Sequence, residues 1–268
     1  MYTLHGKNTK ANNDLWSVYK YGNILKFVYY KYGFNKKKKS KIDNKNDISI
    51  INNEKLKNNI SRAKSRIFEL AMCNNFEYFC TFTQNKKLRN RFDLDDFRKD
   101  FSQFIRNKNK TREQKIYYLL IPEQHKNGAW HMHGLLTGLT ENDLIKFKKS
   151  DYIPKRIKNM IEKGKDVFNW KSYQSKFGYF TCTKIDNINA CSKYLTKYIT
   201  KDMASNNIKL NKHLFYASQG LKGKEVIVKN SFATCPIKSW DFENDYIKTF
   251  EVFENENNID LKCYTQVF

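Results

Sequence analysis

Hydrophobic positions along the chain follow two spacings, one typical of strands and one of helices. Residues 15–34 carry two aromatic and β-branched runs on either side of Gly22, which predicts a β-hairpin. Similar composition predicts further strands at 76–83, 116–124, 129–138, 177–185, 213–218 and 224–229. Apolar residues recur at helical spacing in three segments, 53–73, 93–105 and 187–202.

The order of these elements predicts the fold class. Strands joined by hairpin connections form an antiparallel sheet, and the helices between them need a sheet face to cover. We therefore expect an α+β fold with a central antiparallel sheet flanked by helices. We expect an N-terminal hairpin and lysine-rich arm over residues 1–50, with the arm itself at 35–47. A main domain follows over 51–230 and an acidic C-terminal extension over 231–268.

Charge is the strongest compositional signal. The formal net charge is +23, and residues 241–260 are acidic, so the remainder is more basic still. Such a field favours a polyanionic partner, either nucleic acid or an anionic membrane surface. Arginine supplies only 8 of the 50 basic residues, so a genome poor in G and C is an alternative source of the lysines.

Other features restrict the cellular context. No apolar run is long enough for a membrane span, and the first residues lack the apolar core of a signal peptide, so we expect a cytosolic protein. The six cysteines include no C-x-x-C pair. We expect them to be buried, reduced thiols.

Two histidines, His131 and His133, stand one residue apart in a predicted strand. Alternation places both imidazoles on one face, with their Cα atoms roughly 7 Å apart, and points Met132 the other way. They could converge on one metal ion, or could be two polar residues at a half-exposed face. Histidine pairs with a carboxylate also bind Fe(II), and cupins use a similar pair. A cupin requires a glutamate shortly afterwards, where Thr137 and Gly138 stand instead.

The register of the preceding hairpin indicates a third ligand. A three-residue loop that ends with Gly128 in the left-handed region is a common hairpin type. It places Glu123 opposite His131 and leaves His125 near the turn. A two-residue turn would shift the register by one and place Gln124 opposite His131. We favour the longer loop, which predicts a metal site built from this glutamate and both histidines of the pair.

A pair of tyrosines, Tyr194 and Tyr198, lies on one face of the last predicted helix, about 6 Å apart along its axis. Each is followed three residues later by a lysine, Lys197 and Lys201. Such a pair can pack in a core, or can attack phosphodiesters. With a pKa near 10 a free tyrosine is a weak nucleophile. A divalent ion on the phosphate and a nearby lysine would compensate.

Three sequence blocks, in order, resemble the HUH endonucleases, named for a His-hydrophobic-His motif, and specifically the Rep initiators of rolling-circle replication. The blocks are Phe79-Cys80-Thr81-Phe82-Thr83, then Glu123 with His131-Met132-His133-Gly134, then Tyr194-Leu195-Thr196-Lys197-Tyr198-Ile199-Thr200-Lys201. The third block matches the two-tyrosine form of phage-type initiators. The segment Tyr216-Ala217-Ser218-Gln219-Gly220-Leu221-Lys222 is also similar to phage and plasmid Reps. The similarity spans about residues 75–225, and no ATPase P-loop follows it.

The resemblance implies an HUH, RRM-like architecture and a nickase mechanism. Tyr198 or Tyr194 would cut single-stranded origin DNA, become joined to the 5′ phosphate and release a 3′-OH that primes host polymerase. Glu123, His131 and His133 would hold Mg²⁺ or Mn²⁺. Host helicase is a further expected partner.

Two alternatives stay open. A transposase or relaxase of a mobile element uses the same nicking chemistry. A non-catalytic nucleic-acid-binding protein could instead use lysine-rich, aromatic strands to stack bases.

Overall fold

The computed structural model describes residues 15–31, 45–204, 213–231, 235, 237–244 and 246–253, without the side chains of 45–54 and 200–204. Most of the predicted lysine-rich arm and the end of the acidic extension therefore lie outside the described residues.

The described residues form twelve strands and five helices. The strands are β1 (Leu15–Tyr21), β2 (Ile24–Tyr30), β3 (Tyr78–Thr83), β4 (Tyr117–Gln124), β5 (Trp130–Thr137), β6 (Leu144–Lys146), β7 (Phe168–Trp170), β8 (Phe180–Lys184), β9 (Tyr216–Ala217), β10 (Glu225–Ser231), β11 (Phe242–Glu243) and β12 (Ile247–Phe253). The helices are α1 (Lys45–Met72), α2 (Leu94–Lys110), α3 (Lys155–Glu162), α4 (Lys171–Lys176) and α5 (Ile188–Ala204). No described helix is both long enough and apolar enough to cross a bilayer.

Two compact units divide the chain, one from the described parts of residues 1–41 and 224–268, the other from residues 42–223. The first unit is a five-stranded sheet in the order β10-β1-β2-β12-β11. Its β1–β2 hairpin confirms the first prediction, and Gly22 at the turn has a φ of 59°. Trp16 and Phe27 pack in its core with Val228 and Val252 from the other end of the chain.

The second unit carries a seven-stranded antiparallel sheet in the order β6-β7-β8-β3-β5-β4-β9. Strand alternation gives the sheet two apolar faces. Leu120 faces α2 and packs in one core with Phe101, whereas Leu119 lies in a second core with Ile67 of α1 and Leu195 of α5. The α+β prediction is therefore confirmed, with helices on both faces of the sheet.

The β4–β5 hairpin has the predicted register. Gly128 has a φ of 82°, and the His125 N–H donates to the Ala129 carbonyl at 2.9 Å. Glu123 consequently pairs with His131 across the ladder. The three-residue loop is correct, and the two-residue alternative is excluded.

The helices at 53–73, 93–105 and 187–202 are confirmed as α1, α2 and α5, although α1 begins earlier, at Lys45. Asn187 caps α5, because its Oδ1 accepts from the Ala190 N–H at 2.9 Å. The sequence predicted no element between 139 and 176, where β6, α3, β7 and α4 occur. The described cysteines are free thiols. Cys80 and Cys182 are buried as predicted, and the other three are partly exposed.

Candidate active site

The two histidines of β5 share the sheet face that α5 covers. Met132 between them packs in the opposite core, with α2. Strand β3 pairs with β5 and brings a threonine to each imidazole. Thr81 Oγ1 lies 3.1 Å from His133 Nδ1, and Thr83 Oγ1 lies 2.9 Å from His131 Nδ1. A threonine oxygen that accepts from Nδ1–H leaves the lone pair on Nε2, the tautomer that can ligate a metal.

Glu123 is buried and binds His133. Its Oε2 lies 2.7 Å from the Nε2 of that imidazole, and both side chains are 6% exposed. The backbone of Glu123 pairs with His131, as predicted, but the carboxylate extends along the strand to the second histidine. The glutamate and the two histidines therefore share one wall of the site.

His125 lies closer to the site than its place near the turn indicated. Its ring stacks on His131 with centroids 3.8 Å apart. Burial, followed by the nearby charges of His125 and His133, lowers the pKa of His131 to about 4. His131 is consequently neutral at pH 7, as a metal ligand must be.

The two tyrosines of α5 meet at this site in different environments. Tyr198 is 9% exposed and stacks on His133 with centroids 4.1 Å apart, whereas Tyr194 is 41% exposed and packs against Phe79. The Tyr198 hydroxyl donates to the Tyr194 hydroxyl at 3.2 Å. Burial and then this hydrogen bond raise the pKa of Tyr198 above its usual range, and the charge of Arg156 acts in the opposite direction.

The predicted lysines are less well placed. The Lys197 Nζ lies over the Tyr194 ring, 5.6 Å from its centroid, and the residue does not line the cavity in front of the tyrosines. The side chain of Lys201 lies outside the described residues. The prediction that these two cations stabilise the developing charge stays a prediction.

A cavity of about 560 Å³ joins the site residues. Glu123, both histidines of the pair and both tyrosines line it, together with Arg156 of α3. Sequence reasoning missed Arg156, since α3 carries no apolar pattern strong enough to predict a helix. It noted the two threonines of β3 as part of a motif, but their role depends on the β3–β5 pairing, which no local signal indicates.

The donor set has the chemistry of a divalent-metal site, with one carboxylate and imidazoles on one cavity wall. Among the described residues, no group of three or more His, Cys, Asp or Glu side chains is already arranged to hold a metal ion. Glu123 and His133 bind each other instead. These residues fit a metal whose binding replaces that contact.

A comparison with known families agrees with this location. Residues 77–203 match the model of a family of replication-associated proteins, described as the ORF2 type. The match covers just under half of the chain, from the strand that carries the threonines to the helix that carries the tyrosines. It supports a replication initiator. No curated protein and no solved structure matches the chain.

Proposed function

We propose that this protein is a metal-dependent DNA nickase of the HUH Rep type that initiates rolling-circle replication at a single-stranded origin. One observation carries the proposal: two tyrosines of α5 and the carboxylate–histidine set of the β4–β5 hairpin line the same cavity. These groups come from separate parts of the segment that is similar to replication-associated proteins. A tyrosine pair serving packing alone needs no such cavity.

The proposed reaction is transesterification at one phosphodiester. The oxygen of Tyr194 or Tyr198 attacks phosphorus, so a tyrosine O–P bond forms while the bond to the 3′ oxygen breaks. The phenol gives up its proton to solvent, and the leaving 3′ oxygen takes one up. The products are a 5′-phosphotyrosine link and a free 3′-OH, which would prime host polymerase, with host helicase as a further partner.

Glu123, His131 and His133 would hold the metal, and the threonines of β3 would fix the imidazoles in the ligating tautomer. A bound Mn²⁺ or Mg²⁺ supplies charge that polarises the scissile phosphate. Imidazole ligands favour Mn²⁺ over Mg²⁺, which prefers oxygen.

The arrangement of the tyrosines supports two transfers. Replication of a unit needs one cleavage to begin and one to release it. The hydroxyls already contact each other at 3.2 Å, so one can act while the other carries DNA. The exposed Tyr194 is the more accessible of the two to an incoming strand.

The test uses end-labelled single-stranded oligonucleotides that tile the replicon encoding the protein, incubated with the full chain and Mn²⁺. We expect an SDS-resistant protein–DNA adduct with at least one oligonucleotide. His131→Ala and His133→Ala should abolish it while retention of DNA on a filter changes little, because the basic surface supplies most of the affinity. Binding of every oligonucleotide without any adduct would indicate the non-catalytic alternative.

A further inference from the structure

The cavity contains one strong cation that no motif indicated. Arg156 is the only lysine or arginine among the described residues that line it. It lies in the first turn of α3, next to Ile157, which is 6% exposed and lines the same cavity. The buried isoleucine fixes the helix against the site and thereby fixes the position of the guanidinium beside it.

The guanidinium is not committed to a carboxylate. Four other arginines form ion pairs, namely Arg66 with Glu69, Arg89 with Asp100, Arg98 with Asp95 and Arg112 with Asp143. Within the described part of the chain Arg156 forms none, and its side chain is exposed. It therefore keeps its full set of N–H donors for a ligand.

A role in helix stability does not explain Arg156. The first turn of α3 contains no acidic residue. A cation at a helix N-terminus is unfavourable because the helix dipole is positive there. This arginine thus costs the helix some stability while presenting charge to the cavity.

We propose that the Arg156 guanidinium binds a phosphate of single-stranded DNA at the nick site, supplying the positive charge expected from the lysines of α5. The assignment rests on the proposed nickase function. A guanidinium forms bidentate hydrogen bonds to phosphate oxygens, which also fixes the orientation of the strand. Its charge already acts on the Tyr198 hydroxyl, so a phosphate bound there stands within reach of the nucleophiles.

The experiment measures single-turnover adduct formation on the oligonucleotide that the wild-type protein nicks, with Mn²⁺ present. We expect Arg156→Ala to slow the reaction on the order of 10²-fold, as loss of one transition-state donor does. Arg156→Lys should recover part of this rate. Lys155→Ala is the matched control, since it removes a cation from the same turn but lies outside the cavity, and should change the rate less than about threefold.

A second measurement separates phosphate binding from a structural effect. Oligonucleotides carry a neutral methylphosphonate at one linkage near the nick, moved one position at a time. At one position the wild-type protein should slow and Arg156→Ala should slow no further, because the charge pair is already absent. Independent effects at every position, or an Arg156→Ala rate equal to that of Lys155→Ala, would overturn the assignment. Failure of the wild-type protein to form any adduct would count instead against the nickase function.

Discussion

The buried Glu123–His133 pair provides a prediction that needs no DNA. Glu123→Ala removes a carboxylate whose oxygen lies 2.7 Å from an imidazole nitrogen, with both groups 6% exposed. A buried polar atom left without its partner costs about 1–3 kcal/mol. We therefore expect the free energy of unfolding of this region to fall by about 2 kcal/mol. Glu113→Ala, at an exposed glutamate in the same unit, should change it by less than about 0.5 kcal/mol.

Mn²⁺ adds a second arm to this experiment. A ligand at a hundredfold excess over its Kd stabilises the folded state by about 2.7 kcal/mol. The wild-type protein and Glu113→Ala should both gain this, and Glu123→Ala should gain much less at the same Mn²⁺ concentration.

Urea denaturation followed by hydrogen exchange in peptides from 117–137 reports on this hairpin separately from the N-terminal sheet. If Glu123→Ala proves as stable as Glu113→Ala, the pair contributes nothing to stability. If Mn²⁺ stabilises both variants equally, Glu123 is not a ligand.

Three further predictions concern the tyrosines, the charge and a glycine. Tyr194→Phe and Tyr198→Phe should each still form the DNA adduct but yield less circular product, and only the double variant should form none; a folded, DNA-binding single variant without adduct would leave one catalytic tyrosine. Affinity for single-stranded DNA should fall at least about tenfold between roughly 50 and 200 mM salt; a flat response, measured by fluorescence anisotropy, would assign the lysines to genome composition. Gly134→Ala should destabilise the β4–β5 hairpin by about 2 kcal/mol or more, because an added Cβ would stand 2.1 Å from the Leu119 carbonyl oxygen; a loss under about 0.5 kcal/mol in urea denaturation would contradict this.

Local signals in the sequence predicted the hairpin on which the site is built. Gly128 and the alternation around it determine the register, so the pairing of Glu123 with His131 followed from the chain itself. The phenylalanines of α2 were equally informative, because Phe97, Phe101 and Phe104 recur at helical spacing and are all buried.

Contacts between distant segments were not predictable in this way. The hydrogen bonds from Thr81 and Thr83 depend on the pairing of β3 with β5, which no turn specifies. Helix α3 is short and rich in lysine and asparagine, so Arg156 carried no sequence signal. The unequal burial of Tyr194 and Tyr198 depends on how α5 lies on the sheet, whereas helical spacing alone makes the two equivalent.

The most direct test of the proposed nickase is the identity of the residue that carries DNA. The adduct formed with Mn²⁺ is treated with nuclease, digested with protease and sequenced by mass spectrometry. The account predicts a nucleotide phosphate on the peptide of α5 that contains Tyr194 and Tyr198, on one or the other tyrosine. A phosphate attached to a residue outside this peptide, or a nicked product with no protein-linked nucleotide, would contradict it.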